Sequence, residues 1–171
     1  ASSRARVDTA RAARPEAELW RQALQTPLPP RLGLSPQRFD LIAEVKLRSP
    51  AVGMLRGGDE NVASRVADYA VAGAAAVSVL TEPSRFDGSL EHLALAARAL
   101  ASRGGVPAMR KDFLVDPYQV AEARLAGAGG ILIILRMLSR DETQALLEAA
   151  ARLGLFVLAE TFDEADIAVT W

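Results

Sequence analysis

Residues Pro107 to Val120 read PAMRKDFLVDPYQV. The run opens apolar, turns charged at Arg110, Lys111 and Asp112, and then reaches Asp116 and Pro117, a pair suited to the N-cap and first-turn positions of a helix. A short apolar strand with charge only at its C-terminal end, followed directly by a helix start, is one unit of an α/β fold. The charge sits at the mouth of a core.

The same unit recurs on both sides. Upstream, LIAEV (Leu41 to Val45) is a short apolar run broken by one glutamate, followed by Lys46 and the turn-forming SPAVG (Ser49 to Gly53). NVASRVADYAVAG (Asn61 to Gly73) has helical periodicity, with Gly73 as its stop. AAVSVLTE (Ala75 to Glu82) is the next strand, then a loop carrying Phe86 and Gly88, then a helix from Leu90 to Ala101 capped by Ser89. His92, near that helix start, is expected at the surface. Downstream, Tyr118 to Ala126 is helical, ILIIL (Ile131 to Leu135) is a strand, Arg140 to Leu153 is an amphipathic helix and LFVLAE (Leu155 to Glu160) is a strand. Asp163, Glu164 and Asp166 open a further helix, where its dipole favours acids.

Strands that are continuous apolar runs belong to parallel sheets covered on both faces. Two such architectures compete, the doubly wound open sheet and the (β/α)8 TIM barrel. No glycine-rich fingerprint follows the first strand, which argues against a dinucleotide-binding sheet. Glu44, Lys46, Glu82, Lys111 and Glu160 all stand at C-terminal strand ends, where barrels carry their catalytic groups. That placement favours the barrel.

Ahead of these units, Val7 to Leu24 reads as helical with a break or restart at Pro15. Arg4, Arg6, Arg11 and Arg14 give it a basic face, expected to look at water. Gln25 to Gln37 is a proline-rich connector. Residues 1–38 are therefore expected to form an N-terminal helical extension and connector, and residues 39–171 the first five βα units of a barrel. Strands six to eight would lie outside the chain, in a longer polypeptide, because five unclosed strands leave two raw edges.

Composition narrows the classes. Twenty Lys and Arg nearly cancel 21 Asp and Glu, so no field favours nucleic acid or an acidic membrane. The chain has no cysteine, which excludes disulfides, thiolate metal sites and a thiol nucleophile. No apolar run reaches the roughly 18 residues of a membrane span, and the N-terminus is polar and Arg-rich, so the cytoplasm is the expected compartment.

Four segments carry a resemblance: IAEVKLRSPAVG (Ile42 to Gly53), SVLTEPSRFDGS (Ser78 to Ser89), PAMRKDFLVDPYQVAEARLAGA (Pro107 to Ala128) and LGLFVLAETFDEAD (Leu153 to Asp166). In this order and spacing they resemble indole-3-glycerol phosphate synthase, a (β/α)8 barrel of the tryptophan pathway. The marks are Glu-x-Lys-x-x-Ser-Pro at the first strand, Leu-Thr-Glu then Phe-x-Gly-Ser after the second, Arg-Lys-Asp-Phe at the third and Glu closing the fifth. The N-terminal helix and connector match that family's extension. Departures are mild: Ala51 stands for a serine, Thr161 and Phe162 for Val-His, and Gly129 and Gly130 for Ala-Asp, which is expected to loosen a turn.

The resemblance implies an anilino-deoxyribulose phosphate substrate, closed to an indole with loss of carbon dioxide and water, without metal or organic cofactor. It makes Lys111 the general acid, whose plain alternative is a strand-end lysine paired with Asp112. Lys46 would hold the substrate carboxylate and act as acid in the dehydration. Glu160 is matched with Lys111 for proton transfer, and Glu44 with Lys46. Phe86 and Phe113 would wall the aromatic ring, with Leu132 and Pro50 lining it and Ser49 bonding the carboxylate. The small-molecule sugar phosphate is the implied partner, with room for association or fusion with other tryptophan-pathway enzymes. The competing readings are a truncated, noncatalytic barrel fragment or scaffold lacking the phosphate site, and a related isomerase barrel, which the pattern of Lys111 and both glutamates disfavours.

Overall fold

Each apolar run becomes a strand, and every strand of the main sheet is parallel to its neighbours. The computed structural model describes residues 2–37, 39–55 and 61–168. Helices α1 (Ser3–Ala13) and α2 (Glu16–Gln25) come first, then strand β1 (Ile42–Val45) and a hairpin of β2 (Arg48–Ser49) and β3 (Gly53–Met54). Next come α3 (Val62–Val71), β4 (Ala76–Leu80), the short α4 (Pro83–Phe86) and α5 (Leu90–Ala101). The chain continues with β5 (Ala108–Lys111), α6 (Pro117–Leu125), β6 (Gly130–Ile134) and a 3-10 turn at Leu135–Met137. It closes with α7 (Arg140–Leu153), β7 (Phe156–Glu160) and α8 (Glu164–Ala168).

The five strands lie in the order β1-β4-β5-β6-β7. Each new strand is added on the same side of the last, with a helix between, so the sheet has no switch point where the order reverses. A doubly wound sheet requires such a point. Unidirectional addition is the construction of a TIM barrel, and this sheet is part of one. Two of the expected loops carry structure: the SPAVG turn forms the β2-β3 hairpin, and the loop bearing Phe86 begins with α4. Glu82 causes the second, because its carboxylate accepts from the backbone N–H of Ser84 (3.0 Å) and Arg85 (2.7 Å) while Pro83 fills the first turn.

Register divides each strand between two faces. Glu44 lies opposite Ser78, Leu80 opposite Lys111, and Ile134 opposite Glu160. On the helix side, Val45, Val77, Val79, Ala108, Ile131 and Ile133 join the core with Val66 of α3, Leu93 and Leu100 of α5, Val120 of α6 and Leu146 of α7. Strand period two therefore sends one set of side chains under the helices and the other into the lumen. No helix among the described residues is long and apolar enough to cross a membrane.

Arg14 is exposed as expected, but the other three N-terminal arginines are paired rather than simply solvated. Arg4 pairs with Glu142 at the start of α7, Arg6 with Asp112, and Arg11 with Asp116, the N-cap of α6. The acids that begin α6 and α7 attract the basic side of α1, and the helix lies across them. The Tyr118 hydroxyl adds to this by lying 2.9 Å from the carbonyl of Ala10 and 3.0 Å from that of Arg14. α2 then buries Leu19 and Ala23, and Arg124 donates to the carbonyls of Thr26 and Pro27, both at 2.7 Å.

Gly129 and Gly130 also serve a purpose other than a loosened turn. A Cβ at Gly130 would clash with the outer atoms of the ring of Phe156, its register partner on β7. One at Gly129 would approach the Pro107 side chain to 2.7 Å and the Pro30 carbonyl to 2.8 Å. The pair is small because neighbours occupy the space. Gly130→Ala should therefore destabilise the protein by about 1–3 kcal/mol through overpacking, read from the urea unfolding midpoint. Adding Phe156→Leu should recover part of that loss.

Candidate active site

Charge collects where β1, β5 and β7 end on the lumen side. The Lys111 ammonium donates to Glu44 at 2.7 Å, and Lys46 approaches the other oxygen of the same carboxylate at 3.4 Å. All three groups are half-buried. Glu44 thus bridges both lysines. Lys111 pairs with neither Asp112 nor Glu160 among the described residues. Glu160 lines the cleft with Lys111 and has no hydrogen bond or ion pair among the described residues, so its carboxylate is uncommitted.

Two spaces share Lys111, Leu132 and Glu160 in their linings. A cleft of about 230 Å³ at the mouth is bordered by Phe86, Lys111, Phe113, Leu132 and Glu160. A second space of about 400 Å³ runs down the lumen past Glu44, Ser78, Met109, Lys111, Leu132 and Glu160. Phe86 and Phe113 stand with ring centroids 6.5 Å apart at 45°, a tilted pair forming one wall. Aromatic walls with a few convergent charges suit a flat ring bearing ionised substituents. Ser49 and Pro50 lie at the hairpin turn and line neither space; the Ser49 hydroxyl accepts instead from the Ala51 N–H at 3.3 Å.

The loop bearing Phe86 is held by close backbone packing. A Cβ at Gly88 would meet the Leu80 carbonyl carbon at 2.7 Å and that of Thr81 at 2.8 Å. Backbone cannot yield as a side-chain end can, so this position needs glycine. It brings the loop flush against the end of β4 and leaves Phe86 over the cleft.

Beside this site lies a second charge cluster, which the sequence did not reveal. The buried Asp112 accepts from Arg6 at 2.6 and 3.1 Å, from Arg110 at 3.1 Å, from the Thr81 hydroxyl at 2.8 Å and from the Phe113 N–H at 2.8 Å. Arg110, also buried, donates further to the Gln119 carbonyl at 2.7 Å and to Glu122 at 3.1 Å. Burial pushes the Asp112 carboxyl up, but the Arg6 hydrogen bond, the charges of Arg110 and Arg6 and the Thr81 hydroxyl outweigh it and bring it to about 2. Arg110 is therefore engaged on the helix side of β5, while Lys111 faces the lumen. No local signal marks Arg6 as the partner of a residue 106 positions away.

A family model for indole-3-glycerol phosphate synthase matches residues 1–170. The indole-3-glycerol phosphate synthase of Dehalococcoides mccartyi (strain CBDB1) is 40% identical over 159 residues, covering 91% of this chain and 60% of that protein. The same enzyme of Campylobacter curvus is 46% identical over 128 residues, covering 74% and 47%. A multifunctional tryptophan biosynthesis protein of Schizosaccharomyces pombe is 46% identical over 121 residues, covering 70% of this chain and 16% of that protein. The chain spans about half the length of the single-function relatives it matches.

The Asp112 cluster has a pH signature. Its carboxyl is lower in the folded protein than the ordinary 3.8, so its ionisation contributes stability above that value, lost as pH falls towards 2. The contribution is about 2 kcal/mol. Asp112→Asn should cost about 3–5 kcal/mol at neutral pH, since it leaves Arg110 buried with less compensation. Urea titrations from pH 5 to pH 2 should show the gap to the unsubstituted protein narrowing; a gap that stays constant would remove the ionised Asp112 from this role.

Proposed function

The chain belongs to the indole-3-glycerol phosphate synthase family, and from that premise we propose that the whole protein closes the indole ring of 1-(2-carboxyphenylamino)-1-deoxyribulose 5-phosphate, releasing carbon dioxide and water, in tryptophan biosynthesis. The observation that carries the proposal is the Lys111–Glu44–Lys46 bridge at the strand ends, with the uncommitted Glu160 lining the same cleft.

The ring of the substrate stacks in the mouth cleft against Phe86 and Phe113, over Leu132. Lys111 gives its proton to the ketone oxygen as the aromatic carbon attacks the carbonyl carbon. The carbon–carboxylate bond then breaks, its electron pair restores aromaticity, and carbon dioxide leaves. In the second stage the new hydroxyl departs as water with a proton from Lys46, and a base removes a proton from the ring carbon next to it to form the indole double bond. Glu160, with no hydrogen bond or ion pair among the described residues, exchanges protons with Lys111, while Glu44 offsets the two ammonium charges and serves the dehydration with Lys46. In this reading Ser49 bonds the substrate carboxylate and Pro50 lines the ring, although both stand at the hairpin turn outside the two spaces.

Within the whole protein, residues 1–38 act as the extension and residues 39–171 as the first five βα units, with later strands supplying the phosphate site. The protein works in the cytoplasm, and the multifunctional relative of fission yeast supports association or fusion with other enzymes of the pathway. A scaffold without chemistry is not favoured, since Glu44, Lys46, Lys111 and Glu160 are all retained.

Lys111→Ala should lower turnover roughly 100-fold or more with the fold unchanged. The measurement is the fluorescence of the indole product formed from the anilino-deoxyribulose phosphate. Turnover close to that of the unsubstituted protein would exclude Lys111 as the acid.

A further inference from the structure

One arginine ties together the two mouth loops on either side of Glu160. Arg136 leaves the 3-10 turn that follows β6 and reaches the segment just beyond β7. Its guanidinium donates to Asp163 at 2.8 Å and to Asp166 at 3.1 Å, and its central carbon stands 4.2 Å from the centroid of the Phe162 ring. The segment is also closed on itself. The Phe162 N–H donates to Asp166 at 2.7 Å, and the Asp166 N–H donates to Asp163 at 3.1 Å. Asp166 is buried, although Arg136 and Asp163 are largely open to water. Residues 162–166 are thus wrapped around a single planar cation.

Glu160 lies two residues before this wrap. With no hydrogen bond or ion pair of its own among the described residues, its carboxylate is aimed only by the backbone that carries it. That backbone is fixed on one side by the β6 pairing, through Ile134 opposite Glu160, and past its end by the Arg136 contacts. Both restraints come from the β6 unit. An arginine suits the second one, because the planar fork meets two carboxylates while its face lies on an aromatic ring, which a lysine cannot reproduce.

We propose that Arg136 is a positioning residue for Glu160, acting through the Phe162–Asp166 segment that it holds against the β6 loop. The inference rests on the ring-closure reading of the site. Arg136 does not reach the substrate; it restricts where the Glu160 carboxylate stands relative to Lys111. Misplacing a proton-transfer group by a fraction of an ångström to one ångström costs rate more than affinity.

The test is a double-mutant cycle on the whole protein, with kcat, KM and the urea midpoint measured for each variant. Arg136→Met keeps the length and apolar stem of the side chain and removes the fork; it should lower kcat about tenfold or more with little change in KM. Arg136→Lys should remain low. In a Glu160→Gln background, Arg136→Met should cause no further loss, because the group it positions is gone. Phe162→Leu, which removes the ring from the other side, should reproduce part of the effect in kcat. An Arg136→Met enzyme with kcat within twofold of the parent, or an equal loss in both backgrounds, would overturn the proposal. Absence of turnover in the unsubstituted protein would instead remove the ring-closure reading beneath it.

Discussion

A buried carboxylate needs cations and donors around it, and Asp112 gathers them from its own strand and from two distant parts of the chain. Arg110 comes from its own strand, Thr81 from the end of β4 and Arg6 from the N-terminal helix. Removing any one would leave charge in a place that cannot solvate it. The cluster therefore fixes the tip of β5, the end of its neighbour and the seat of the extension at once. Lys111, one residue earlier, takes its direction from that fixed tip.

Strand alternation then separates structural from chemical charge. Arg110 and Lys111 are adjacent in sequence, yet the first is buried among helix-side partners and the second enters the lumen. In the structural cluster Asp112 accepts from Arg6, Arg110, the Thr81 hydroxyl and the Phe113 N–H, and the cluster contributes stability. The lumen cluster is less complete: Glu44 serves two lysines, and Glu160 has no partner among the described residues. Incomplete pairing leaves groups available to a substrate. The Phe86 ring stands over these groups because Glu82 caps the helix that ends at Phe86 and Gly88 lets the following loop lie against β4.

Local features were legible in the sequence and distant partners were not. Continuous apolar runs gave the strands, and the long helices α5 and α7 have the bounds that their periodicity and caps imply. The strand-end charges mark the mouth in the sequence itself. The basic side of α1 is ambiguous in sequence, because a row of arginines looks the same whether it faces water or the acids at the ends of β5, α6 and α7. Likewise, the pairing of Lys111 with Glu44 depends on how strands lie side by side, which a single sequence does not encode. Gly130 appeared permissive on its own and became restrictive only with Phe156 across the sheet.

The seating of α1 has a consequence for how the molecule is made. The contacts Arg6–Asp112 and Arg4–Glu142 join residues 106 and 138 positions apart, whereas each βα unit packs chiefly on the next. During synthesis the helix emerges well before the acids that hold it, at rates of about 5–20 residues per second. It must wait on the growing sheet, undocked, for several seconds. Docking of the extension thereby follows completion of the third and fourth units, while the fifth is still being added.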